Sequence, residues 1–318
     1  MLEKINEYIK NLPLEKEPKG LYEPIRYILS LGGKRIRPVL MMMAYELWHD
    51  DSERILPLAV ALETFHNFTL LHDDVMDHAD MRRGMPTVHK KWNENTAILS
   101  GDNMLVLAFK WMQQCPAEKM PDVLGTFTTT AIEIDEGQQL DVDFEERDDV
   151  REEEYIEMIR LKTSVLLACA VKIGAIMSDA PKEDIENLYK FGECIGLSFQ
   201  LQDDYLDVYG DPKVFGKAIG GDITSNKKTY MLINAINKAE GADKEELMKW
   251  IDAKTFDRNE KVKAVTAIYD KLGIDLMAKA KMEQYYTDAI AYLDKVNVSE
   301  DKKKALRDYA DKMMKRQK

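Results

Sequence analysis

Apolar residues return every three or four positions along almost the whole chain. Val60, Phe65, Phe68 and Leu71 form one such stripe. Ile156, Ile159, Val165 and Leu166 begin a second, and Leu188, Phe191, Ile195 and Phe199 a third. This is the helical period, and the two-residue alternation of a half-buried strand is not sustained anywhere. Segments 53–79, 151–177 and 182–209 hold no paired glycines, and their one proline, Pro57, lies near the start of the first, so each predicts a long helix. The single glycines at 174, 192 and 196 weaken helix propensity without having to end a helix. Breaks are predicted at Gly32-Gly33, at Arg83-Gly84-Met85-Pro86, at Pro116, at Ala180-Pro181 and between Gly210 and Gly221. The charged stretch Ser299 to Lys318 reads as a last helix with one solvated face. No linker and no internal repeat divides the chain. The pattern therefore predicts a single all-α domain over residues 1–318, a helical bundle of about ten or more helices.

Composition agrees and removes alternatives. Sixteen glycines and ten prolines in 318 residues are too few for the many turns of a β-sandwich or barrel. No stretch approaches the roughly 18 consecutive apolar residues of a membrane span. Met1 to Lys10 alternates charge with hydrophobe and lacks the apolar core of a signal peptide. Cys115, Cys169 and Cys194 form no CxxC pair, and two of them sit in apolar stretches, as expected of buried thiols in a reducing compartment. The expectation is a cytoplasmic chain with no transmembrane segment. The net charge of −12 makes nucleic acid an unsuitable partner. It would also repel an anionic substrate unless metal ions and local Lys or Arg reverse the field at one place.

The sequence provides for such a reversal. Asp73-Asp74-Val75-Met76-Asp77 and Asp203-Asp204-Tyr205-Leu206-Asp207 share one spacing, and each closes a long apolar helix. Carboxylates four apart lie on one helix face and repel each other. At a helix C-terminus the macrodipole disfavours them further. A cost incurred twice asks for a compensating cation. A few hard carboxylate oxygens suit Mg²⁺, which keeps waters and shares its shell with substrate phosphates. Basic residues accompany both clusters: Arg82 and Arg83 after the first, Lys217, Lys227 and Lys228 after the second, and Lys34, Arg35 and Arg37 upstream. Guanidinium groups bind phosphate bidentately, and lysine acts as a point charge.

With these residues in view, the sequence resembles the trans-isoprenyl diphosphate synthases, the polyprenyl synthetase family that includes farnesyl and geranylgeranyl diphosphate synthases. The matching pieces are Gly32 to Pro38, Leu71 to Thr87, Gly137-Gln138 with Asp141, Lys162-Thr163, Phe199 to Asp207, and Phe215 to Lys228, in family order. The resemblance implies an all-helical bundle of the isoprenoid synthase type around a central active-site cavity. It implies condensation of isopentenyl diphosphate with dimethylallyl, geranyl or farnesyl diphosphate, with release of diphosphate. Asp73, Asp77 and Asp203 would hold Mg²⁺, three ions with substrate bound, with Asp74, Asp141 and Asp207 in or near the shell and Asp204 in the catalytic set. Lys34, Arg37, His66 and Arg83 would bind isopentenyl diphosphate. Arg82, Lys162, Thr163, Gln200, Lys217 and Lys227 would bind the allylic diphosphate, Lys162 and Lys217 also serving catalysis. Synthases of this type are usually homodimers.

The resemblance also bears on product length. A prenyl tail growing alongside the first acidic helix would meet Phe68 and Thr69, about 6–7.5 Å before Asp73 along the axis. One aromatic and one small residue there resemble short-chain synthases and imply C15 to C20 products. Two other enzyme classes use similar pieces. An HD-type metal phosphohydrolase could use His72-Asp73, but His66, His78 and His89 make no convincing ligand set, and the second cluster would be unexplained. A terpene cyclase shares the first acidic motif but needs neither the second in this form nor a second diphosphate site. A non-catalytic regulatory subunit would be expected to have lost one motif, and both are intact. A phosphate-binding P-loop at Gly210 to Lys217 fails on spacing and follows a helix.

Overall fold

The computed structural model describes residues 1–211 and 219–314. Its elements are helical apart from a two-residue hairpin, β1 (Met81–Arg82) paired antiparallel with β2 (Met85–Pro86). In chain order the helices are α1 (Leu2–Lys10), α2 (Lys19–Ser30), α3 (Ile36–Tyr45), α4 (Leu56–Met76), α5 (Val88–Lys91), α6 (Glu94–Met112), α7 (Met120–Glu145) and α8 (Glu152–Ile159). A single π turn (Arg160–Ser164) leads into α9 (Val165–Met177) and α10 (Lys182–Tyr209). Then come α11 (Gly221–Ser225), α12 (Tyr230–Lys238), α13 (Gly241–Asp252), α14 (Arg258–Leu272), α15 (Ile274–Lys295) and α16 (Glu300–Met314). Among the described residues no helix is long and apolar enough to cross a membrane. All three cysteines are buried.

Four of the five predicted breaks fall between helices, and the fifth, Gly210 to Gly221, lies partly outside the described residues. Gly32-Gly33 separates α2 from α3, Pro116 separates α6 from α7, and Pro181 directly precedes α10. The stretch 53–79 divides into a 3₁₀ turn (Ser52–Ile55) and α4, with Pro57 in the first turn, where its missing N–H costs nothing. Asn93, Thr229 and Asp257 cap α6, α12 and α14 by accepting a backbone N–H three residues on.

The chain groups into two compact units, described in turn. Unit 1 comprises residues 1–128, 169–186 and 298–302. Its centre is α4, where Leu58 to Leu62, Phe65, Phe68 and Leu71 are all buried. A helix apolar on nearly every side is one that neighbours enclose. Phe65 packs edge-on to Phe127 at 5.2 Å, and Phe127 meets Phe109 of α6 at 4.8 Å. Within this core lies one ion pair, Arg35 to Glu63 at 2.7 Å, each side chain 2% exposed.

Unit 2 comprises residues 129–168, 187–297 and 303–318. Its core joins Tyr155, Met158 and Ile159 of α8 to Leu197 and Leu201 of α10, Tyr230 to Ile233 of α12, and Val265, Ile268 and Tyr269 of α14. The π turn lies against two glycines. A β-carbon at Gly137 would overlap the backbone at Leu161 and Lys162, and one at Gly196 would overlap Ser164. Arg160, at the start of the turn, reaches Glu157 at 2.8 Å, Glu193 of α10 at 3.3 Å and Glu133 of α7 at 3.7 Å. Such single-turn π bulges often mark functional positions, and this one contains Lys162 and Thr163.

Candidate active site

In unit 1 the first acidic motif closes α4, and its aspartates are not equivalent. Asp73 is partly buried and Asp77, the C-cap, is exposed, while Asp74 is buried at 2%. Asp74 accepts two hydrogen bonds from Arg82, Nε to Oδ2 and Nη2 to Oδ1, both at 2.7 Å. The expectation for Arg82 was a diphosphate contact and for Asp74 a place near a metal. In the structure the two pair with each other, because a buried carboxylate requires a partner and a guanidinium fork fits it. The pair also joins the hairpin to the acidic helix.

Arg83, in the left-handed region at the hairpin's turn, donates to the carbonyl of Gly32 and lies 3.5 Å from Asn67 Oδ1. That places Arg83 beside the Gly32-Gly33 loop, which continues into exposed Lys34 and then into Arg37 in the first turn of α3. Arg37 Nη1 donates to His66 Nε2 at 3.1 Å. A guanidinium cannot accept, so this nitrogen is unprotonated and the imidazole is neutral, with its hydrogen on Nδ1. Burial, then the charges of Arg37 and Arg83, hold the His66 pKa well below the ordinary value of 6.5. Arg35, which the sequence groups with Lys34 and Arg37, is not part of this surface. It turns inward to Glu63, the carbonyl of Leu29 and Asn6. Phe68 is 8% exposed and packs on Phe65 at 5.6 Å and His72 at 4.8 Å; the Thr69 hydroxyl donates to the His66 carbonyl.

Unit 2 repeats the construction at the end of α10. Asp203 is partly buried, whereas Asp204 is 7% exposed and lies between two donors, the Tyr155 hydroxyl on Oδ2 and Gln200 Nε2 at 3.1 Å on Oδ1. Burial and the nearby Asp222 raise the Asp204 pKa, against the Tyr155 hydrogen bond and the charge of Lys227. Asp207 accepts the backbone N–H of Asp222 at 2.9 Å and so ties α10 to the start of α11. Gln200 Oε1 accepts from the Thr163 hydroxyl at 3.0 Å. Lys162 donates to Asp141 Oδ2 at 2.6 Å, and Lys227 lies 3.8 Å from the same oxygen. Burial would raise the Asp141 pKa, but Lys227 and Lys162 outweigh it and hold it below the usual carboxylate range. Asp141 thus gathers two lysines that are 65 positions apart in sequence. Lys217 lies outside the described residues.

This order of motifs on helices matches one family model. Residues 18–269 match the model described as polyprenyl synthetase. The chain belongs to the polyprenyl synthetase family. Within it, the short chain isoprenyl diphosphate synthase of Methanocaldococcus jannaschii is 41% identical over 317 residues, covering 99% of this chain and 94% of its own. The geranylgeranyl diphosphate synthase of Methanosarcina mazei is 44% identical over 234 residues, 73% of this chain and 72% of its own. The crystal structure of geranylgeranyl pyrophosphate synthetase from Pyrococcus horikoshii Ot3 superimposes with a TM-score of 0.92 at 35% identity, over 99% of this chain and 95% of that one.

The donor chemistry suits the cation this polyprenyl synthetase is expected to use. Asp73 and Asp77, and separately Asp203, offer hard oxygens in small number. Among the described residues no three His, Cys, Asp or Glu groups converge to hold a metal by themselves. Mg²⁺ is held by one or two carboxylates and takes the rest of its shell from water and substrate phosphate. Sequence reasoning passed over Tyr155 and Asn67. Both read as helix-interior residues, and only the contacts to Asp204 and Arg83 reveal more.

Proposed function

We propose that this chain is a Mg²⁺-dependent short-chain prenyltransferase, joining isopentenyl diphosphate to an allylic diphosphate to give C15 to C20 prenyl diphosphates. One observation carries the reading. Both Asp-Asp-x-x-Asp motifs end a long helix, bury the second aspartate against fixed donors and leave the first partly exposed. Asp73, Asp77 and Asp203 would hold the Mg²⁺, which supplies Lewis-acid stabilisation of the departing diphosphate.

The protein's own groups do the rest. Lys34, Arg37 and Arg83 bind the diphosphate of isopentenyl diphosphate through charge-assisted contacts. His66 stays neutral and orients Arg37. Lys162 and Lys227, gathered by Asp141, bind the allylic diphosphate. As the allylic C–O bond breaks, the oxygens of Thr163 and Gln200 face the positive carbon. The double bond of isopentenyl diphosphate forms the new C–C bond, a proton leaves the adjacent carbon, and diphosphate is released. No protein nucleophile takes part.

The chain acts as a homodimer in this reading. Ile98, Leu99 and Val106 leave an apolar stripe on α6, with Leu99 61% and Val106 63% exposed, and a second copy would cover it.

The test is direct. The protein is incubated with Mg²⁺, isopentenyl diphosphate and each allylic diphosphate in turn, and the products are identified. Condensation that stops in EDTA, and turnover lowered by several orders of magnitude in Asp73→Ala and Asp203→Ala, support the reading. Full activity in excess EDTA, or near-normal rates in either variant, would overturn it.

A further inference from the structure

A chain of hydrogen bonds, buried at its Tyr155 end, leads from α8 to the π turn. Tyr155, 1% exposed, donates its hydroxyl to Asp204. The other oxygen of Asp204 accepts from Gln200 Nε2 at 3.1 Å, and Gln200 Oε1 accepts from the Thr163 hydroxyl at 3.0 Å. A glutamine amide can be turned over so that its nitrogen and oxygen exchange places. The Thr163 hydroxyl cannot decide the orientation, because it donates or accepts equally well. Asp204 can decide it: Tyr155 engages Oδ2, so any proton on the carboxyl group is held there, and Oδ1 is left to accept from the NH₂ group, with the carbonyl oxygen on the Thr163 side. Asp204 does so only while its own plane is fixed, and the partner that fixes it from the far side is Tyr155.

We propose that Tyr155 is a positioning residue that sets the side-chain amide of Gln200 by way of Asp204, so that Gln200 presents its carbonyl oxygen beside Thr163. This rests on the prenyltransferase reading, in which an oxygen at that place faces the allylic cation and an NH₂ would oppose it. The arrangement also gives the second aspartate of the motif a task apart from metal binding. The Tyr155 hydroxyl acts on the orientation of an acceptor and has no part in binding isopentenyl diphosphate.

Tyr155→Phe removes only that hydroxyl. The expected result is a kcat at least tenfold lower, an unchanged KM for isopentenyl diphosphate, and a folded protein by circular dichroism. The decisive comparison is a double-mutant cycle with Gln200→Leu. Once the amide is absent its orientation has no meaning, so Tyr155→Phe should cost less than twofold in that background. A merely structural tyrosine would cost the same in both. Asp204→Asn, of the same shape, keeps the proposal testable if Tyr155→Phe fails to fold: the amide then has no obligate acceptor, and kcat should fall again without a change in that KM. Wild-type kcat in Tyr155→Phe, or a loss undiminished beside Gln200→Leu, overturns the inference. A wild-type chain that condenses nothing would instead overturn the prenyltransferase reading beneath it, and the two failures are told apart in the first assay.

Discussion

His66 lies seven positions before Asp73 on the acidic helix, and its contact with Arg37 fixes its charge. Burial first, then Arg37 and Arg83, depress its pKa. The native state therefore binds fewer protons than the unfolded chain once the pH falls below about 6.5. Stability from this residue is complete above that value and is lost as the pH drops through it. His66→Gln cannot take up the proton, so the two proteins should differ by a constant amount above pH 7.5 or so and converge or cross as the pH approaches 5. Urea midpoints at several pH values would test this, and parallel curves throughout would refute it. The same neighbourhood tests how far a sequence can be read. Lys34, Arg35 and Arg37 look alike as three basic residues in a row of four. Only folding separates Arg35, whose guanidinium neutralises the buried Glu63, from the other two.

The long helices were legible because burial repeats at three or four residues, and the acidic motifs because their spacing places like charges on one face. The π turn was not. One extra residue per turn barely disturbs an apolar stripe, so 151–177 reads as a single uninterrupted helix. What fixes the turn lies elsewhere in sequence, in Gly137 and Gly196. Gly137→Ala should force the α7 backbone away from Lys162, costing about 1–3 kcal/mol as overpacking does. Thermal unfolding and turnover should both report it, and a variant with unchanged midpoint and kcat would show that Gly137 does not hold the turn. In α4, Phe68 packs on its own helix through Phe65 and His72. Phe68→Ala should cost about 3–5 kcal/mol as a core truncation and lengthen the prenyl product if the ring is also the floor of the tail's path. Product chromatography decides: the same chain length from a folded, active variant would leave Phe68 a core residue alone.

For the chain as a whole, charge and hydrophobicity each bear on function. A net charge of −12 would repel a diphosphate, yet Lys162 and Lys227 gather at one partly buried carboxylate in unit 2, and Arg83 lies beside the loop that carries Lys34 in unit 1. The apolar stripe of α6 predicts assembly. Light scattering should give about twice the 36.6 kDa of one chain, and Val106→Asp should shift the particle towards one chain. A monomeric wild-type protein at working concentration would refute the dimer. The all-helical class was evident from periodicity alone. The division of the aspartates between accessible and buried was not, because adjacent residues of one type carry no mark of which will face a tyrosine or an arginine.

The pairing of Asp74 with Arg82 makes damage at neighbouring positions distinguishable in cells. Removing Asp74 leaves the partly exposed Arg82 guanidinium without its partner; breaking a fully buried ion pair costs about 3–5 kcal/mol, and this half-buried one should cost about 1–3 kcal/mol. That is a large part of a typical domain's stability, so steady-state abundance should fall. Removing Asp73, which is partly exposed and repelled by Asp77 four positions on, should lower abundance less. A mutational scan scored twice, for protein level and for growth on the product, should place Asp74 among positions lost by degradation. Asp73 should fall among those present but inert.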